Sequence, residues 1–189
     1  MPLAVVASND TAVGASAFPL YTGGLRNTGA GTTVAPNFVS GQDNTFMGYN
    51  AGQGYISGNF TTVIGANTTA PASFTTLVGA LSTNNSINGV VAGYNSQVTS
   101  VLPDITTVGS NNVVGLGGAG VIYGAGNNVT GGTVGIFGSN NISAGFTNTL
   151  LFGNNTSTEA SNEVKYGDLY TSLKLSSAFQ SSPGFGFSN

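Results

Sequence analysis

The chain has no cysteine, no histidine and no tryptophan, and only 5% of its 189 residues are charged. Without cysteine there is neither a disulfide framework nor a thiolate metal site. Without histidine the commonest general base and metal ligand is missing, so the expectation is a protein that is not an enzyme and holds no cofactor or metal. Six acidic residues against one arginine and two lysines give a net charge of −3. That balance offers no attraction to nucleic-acid phosphates or to an anionic bilayer surface. No stretch approaches the eighteen or so apolar residues that span a bilayer. The opening MPLAVVASND places no basic residue before its short apolar run, so no convincing signal peptide is read there. Neither nucleic acid nor membrane insertion is expected.

What the chain does have is glycine, 30 residues of it, together with 40% hydrophobic residues, too apolar a mixture for a disordered linker. The glycines are periodic. TTVIG ends at Gly65 and TTLVG at Gly79. The same alignment runs through Gly14, Gly31, Gly48, Gly93, Gly109, Gly124, Gly138, Gly153 and Gly167, at intervals of 14 to 17 residues. Helical and leucine-rich repeats need longer units. Gly, Asn, Thr and Val disfavour helix, and the 3.6-residue apolar rhythm is missing. A period this short fits one turn of a narrow parallel β-solenoid, two short strands and two tight corners for each coil. The predicted fold is all-β, with about eleven coils of 14 to 17 residues: a lead-in over 1–9, a solenoid over 10–167, and a C-terminal arm or cap over 168–189. Within the solenoid, coils of 17 residues occupy 10–60 and coils of about 14 residues occupy 61–167.

Two columns precede each anchor glycine. One reads Val13, Ala30, Met47, Ile64, Val78, Ala92, Val108, Tyr123, Phe137, Phe152 and Tyr166; the other reads Ala12, Gly29, Phe46, Val63, Leu77, Val91, Thr107, Ile122, Ile136, Leu151 and Lys165. Neighbouring residues of a strand face opposite ways, so one column lines the coil and the other leaves it, and both are largely apolar. The outward stripe is read as Phe46, Val63, Leu77, Val91, Ile122, Ile136 and Leu151, or its partner column, and is the candidate oligomer interface. Corners that turn both columns inward, or a loop that covers the stripe, are the alternatives.

Asn50, Asn67, Asn95, Asn111, Asn127, Asn140 and Asn154 follow the anchors and are read as corner residues able to form amide ladders. A threonine file at Thr11, Thr28, Thr45, Thr62, Thr76 and Thr106 has the form some ice-binding solenoids use, but it fails in the later coils and also suits strand formation alone. Tyr21, Tyr49 and Tyr55 are candidates for stacking on a glycan, with corner packing as the alternative. Asp10 and Asp43 lie two coils apart, and GLGGAG at Gly115–Gly120 lacks the ending of a phosphate loop. Asn59, Asn67, Asn84, Asn128 and Asn141 head Asn-x-Ser/Thr triplets. Glu159, Glu163, Lys165, Asp168 and Lys174 concentrate charge near the C-terminal end, where it blunts edge pairing. Leu173, Leu175, Phe179, Phe185 and Phe187 make the tail a candidate inter-subunit arm.

The stretches NDTAVGASAF and DNTFMGYNAGQGYISGNFTTVIGANT, with the later VxGxNN units, resemble the repeats of trimeric autotransporter adhesin heads and the similar repeats of phage and large-virus fibre proteins, over about Asn9 to Asn155. The resemblance implies a homotrimer of left-handed parallel β-rolls, each turning an apolar side to the threefold axis, that binds surfaces or other proteins. The chain has no heptad stalk and no anchor barrel, and Asn-rich turns replace the second glycine of the adhesin coil. These departures move the expectation towards a virion fibre or extracellular appendage that partners itself and, through it, a host-surface glycan or protein. A self-assembling filament and a monomeric ice- or carbohydrate-binding solenoid are the alternatives.

Overall fold

The structure is a computed structural model and describes residues 9–167. Among the described residues there are nineteen strands and no helix, and every strand pairing is parallel. Eleven strands, from Thr11–Val13 to Val164–Tyr166, follow one another in sequence order to make the principal sheet. The chain is an all-β parallel solenoid, and each repeat is one rung.

The register equals the repeat. Phe46 pairs with Val63, Val63 with Leu77 and Leu77 with Val91, so every anchor glycine stacks on the next. Glycine is obligatory in that column for two reasons. Gly65 has φ +146°, and a Cβ there would lie 1.4 Å from the carbonyl oxygen of Gly79, a distance no side chain tolerates. The close approach lets the rungs stack directly where the chain leaves the sheet.

Two smaller sheets form the opposing walls. Gly23–Leu25, Ser40–Gln42 and Ser57–Asn59 pair in the 17-residue coils. Thr83–Asn84, Gln97–Val98, Val113–Val114, Asn128–Val129 and Ile142–Ser143 pair in the shorter ones. The strand of the first wall begins nine residues after its anchor (Gly14 to Gly23) and that of the second begins four after (Gly79 to Thr83). The three extra residues of each early coil carry the bulk that widens it. Phe18, Phe38 and Tyr55 are buried there against Phe46 in a chain of ring contacts 5.1 to 6.0 Å apart. Volumes compensate along the rod. Gly29 stands in the same file as Phe46, and the ring of Phe18 occupies its space, within 2.7 Å of where a Cβ would be.

Phe46, Val63, Leu77, Val91, Ile122, Ile136 and Leu151 are each 0% exposed. They form the inner file, facing Val98, Val114 and Val129 of the second wall in one apolar core. The assignment of these seven as an oligomer interface is therefore corrected, because side chains sealed inside one chain cannot touch another. The two-residue alternation of a strand gives the partner column the outward direction.

The asparagines divide into two groups. Asn50, Asn67, Asn95, Asn111 and Asn140 adopt φ between 52° and 56° at the corners, and Asn50 and Asn95 donate through Nδ2 to the Oδ1 of Asn67 and Asn111. Asn127 does not belong with them. It is buried, donates through its backbone N and Nδ2 to Asn112 Oδ1, and donates through Nδ2 to the carbonyl of Gly138. Asn141 then donates to Asn127 in the same way. An equivalent ladder runs from Asn44 through Asn27 to Asp10, whose carboxylate accepts at its end. These ladders satisfy the buried corner groups that ion pairs never reach.

Candidate functional site

The outward face of the principal sheet is built from two files, because residues three before and one before the anchor glycine share a face. One file is Thr11, Thr28, Thr45, Thr62, Thr76, Val90, Thr106, Val121, Gly135, Leu150 and Val164. The other begins at Val13 and ends at Tyr166. In it Val13, Met47, Ile64, Val78, Tyr123, Phe137 and Tyr166 are each at least 40% exposed, and Ala30, Ala92, Val108 and Phe152 partly so.

Neither file contains a charged residue. The described charges lie elsewhere. Arg26 and Asp43 form a bidentate pair at a corner, 2.5 and 2.7 Å, and the arginine holds the Asp43 carboxyl below the usual range. Lys165 sits in the inner file at the last described rung and bonds Glu159. Among the described residues no group of three or more acidic, histidine or cysteine side chains is placed to hold a metal.

Toward the C-terminal end the outer file becomes aromatic. The rings of Tyr123, Phe137, Phe152 and Tyr166 stack at 5.5, 5.3 and 5.2 Å, with interplanar angles of 16°, 15° and 11°. Identical spacing of the rungs produces this: a parallel in-register sheet places each ring above the next at about 4.8 Å. The stacked rings cover one another's faces and turn their edges outward.

The threonine file is also on this face, and the hydroxyls of Thr11, Thr28, Thr45, Thr62 and Thr76 make no hydrogen bond within the described chain. Of the tyrosines expected to meet a glycan, Tyr55 is fully buried and donates to Asn44 Oδ1 at 2.9 Å, so its ring cannot stack on a sugar. Tyr21 stacks on Phe38 and donates to Asp10 Oδ2 at 2.8 Å; burial first and that bond second push its hydroxyl up to about 12. Tyr49 alone stays open, 59% exposed. The three tyrosines do not converge. Asn84 and Asn141 are buried, which removes these two as Asn-x-Ser/Thr acceptors. Leu173, Leu175, Phe179, Phe185 and Phe187, the candidate arm, lie outside the described residues.

Sequence reasoning missed the phase of the face, and a signal for it existed. Threonine three before the anchor shares its face with the residue one before, so the threonine file and the partner column Val13 to Tyr166 leave the coil together. Compared with known protein families the chain matches none, and comparison with curated proteins finds no match.

Proposed function

We propose that the protein is a non-enzymatic structural subunit whose solenoid associates with copies of itself through the outward face of the principal sheet, building a virion fibre or an extracellular appendage. The observation that supports this is the uncharged apolar file from Val13 to Tyr166, open along the whole described rod. Seven of its large side chains are about half exposed; taking each out of water contributes about 1 kcal/mol, or roughly 7 kcal/mol from each copy. Two copies together then offset the association entropy, about 4 to 15 kcal/mol, only when most of the face is used. A face with no charge is compatible with itself, since no like charges meet. A trimer closes such contacts around one axis.

The file of unpartnered threonine hydroxyls supports a second reading, a monomer that lays this face on an ordered surface such as ice or a crystalline polysaccharide. Sedimentation of the purified protein separates the two. A discrete closed oligomer at micromolar concentration is expected, and a monomer that arrests ice recrystallisation would replace the first reading with the second.

A further inference from the structure

Where each coil enters the principal sheet, the chain turns through a residue with a left-handed backbone, two places before the threonine file. Arg26, Asp43, Phe60, Phe74, Asp104 and Asn148 hold this corner in other rungs, with φ between 56° and 61°. Asn88 holds it in the rung that begins at Val90, the sixth of the eleven in the principal sheet, at φ 56°. The residue that follows the corner turns into the coil and is buried, as Asn27, Asn44, Thr61, Thr75, Ile105 and Thr149 are. After Asn88 it is Gly89. A Cβ there would stand 2.7 Å from the Cβ of Ser86 and 2.8 Å from Oδ1 of Asn84, so packing excludes a side chain. A left-handed corner suits asparagine, and a crowded interior requires glycine. Together they place at the middle of the rod the one Asn–Gly pair in the sequence.

We infer that Asn88 is a site of covalent self-modification, in which the backbone nitrogen of Gly89 displaces the side-chain amide of Asn88 as ammonia. The nitrogen loses its proton and bonds to Cγ of Asn88, the Cγ–Nδ2 bond breaks, and a succinimide ring forms while ammonia carries the proton away. Water then opens the ring. Attack at Cγ restores the main chain with aspartate at this position, whereas attack at the main-chain carbonyl carbon leaves the chain running through Cβ and Cγ as isoaspartate. Water is the only reagent consumed. The site is independent of the self-association proposed above.

Three features set this pair apart. Asn88 is exposed and its side-chain amide makes no hydrogen bond within the described chain. Asn148, at the same corner with the same φ, donates through Nδ2 to Asn162 Oδ1 at 3.0 Å. Gly89 has no Cβ to crowd the approach to its nitrogen, where Thr149 presents a branched one. The Gly89 N–H donates to the Ser86 carbonyl at 3.3 Å, long for such a bond. Ring closure needs the corner to open locally, and this weak bond is the one that opening breaks.

Either product disturbs the rung. A carboxylate at Asn88 would stand one rung, about 4.8 Å, from the corner of Asp104, and like charges stacked in register repel. Isoaspartate also lengthens the main chain by one carbon beside the Gly89 carbonyl, which accepts from Thr76 N at 2.9 Å, and before Val90 N, which donates to the Ile105 carbonyl at 2.8 Å. The register of the neighbouring rungs then fails at the middle of the rod.

Incubation of the full chain at mildly alkaline pH, which speeds loss of the amide proton, tests the site when followed by peptide mass mapping and enzymatic methylation of isoaspartate. Conversion at Asn88 should run at least about tenfold faster than at Asn148, a barrier about 1.4 kcal/mol lower, and the denaturation midpoint should fall with it. Equal conversion at the two asparagines would overturn the assignment. Asn88→Gln, at a corner that accepts Arg26 and Phe60 in other rungs, has a longer side chain that closes the ring far more slowly, so it should keep its midpoint through the same incubation. A matching fall in that variant would overturn the link between the modification and the register.

Discussion

Leu81 occupies the second position after its anchor, which Asn50, Asn67, Asn95, Asn111 and Asn140 fill in five other coils, and it shares their left-handed backbone at φ 55°. Its side chain is 43% exposed and so gains little from burial. A branched side chain in that region costs about 1 to 2 kcal/mol, and asparagine recovers much of it by bonding locally. Leu81→Asn should stabilise the chain by about 1 kcal/mol in chemical denaturation, with no change in association, since this corner is not on the outward face. The prediction is confined to one residue because the strain of each left-handed corner is local to it. Asn50, Asn67, Asn95, Asn111 and Asn140 were legible as corner residues from spacing alone. Asn127 was not, although it stands only one place further from its glycine, because the two positions differ in direction rather than in composition.

At the scale of the coil, a rung is held by its neighbours above and below rather than by contacts within itself, so groups repeated in register act together. Asn127 shows the consequence. Its side chain donates twice, to Asn112 Oδ1 and the Gly138 carbonyl, and accepts twice, from the backbone N and Nδ2 of Asn141. Asn127→Ala leaves the Gly138 carbonyl and the backbone N–H of Asn141 without these bonds, on two rungs, each at about 1 to 3 kcal/mol, while Asn112 Oδ1 keeps its bond from the backbone N of residue 127 and Asn141 Nδ2 its bond to Gly153. The expected loss is about 3 kcal/mol or more, read as a lower denaturation midpoint, whereas Asn95→Ala at an exposed corner should cost under half of that. The contrast checks whether the buried ladder, rather than asparagine content, replaces the ion pairs this composition lacks.

For the molecule as a whole, the inner and outer files have separate duties that adjacent residues can test. Ile136 is fully buried and Phe137 is 42% exposed. Ile136→Asp buries an unpaired carboxylate and should prevent folding, seen as loss of the β circular dichroism signal. Phe137→Asp should leave that signal and give a folded single chain in sedimentation. If both variants behaved alike, the division between core and contact face would fail.

The sequence by itself determined the repeat, the all-β class and the rung register. All three follow from a local requirement: a backbone that passes within contact of its neighbour admits only glycine, so the anchors announce every rung. Which apolar file faces inward was decided by tertiary structure. Alternation along a strand fixes that Phe46 and Met47 point opposite ways, but the phase depends on how the corners close the coil. In the early coils those corners close around Phe18, Phe38 and Tyr55, residues brought in by insertions far from the strands they complete. Closure of that kind joins residues eight to twenty-eight apart and is a property of the coil, not of any stretch within it.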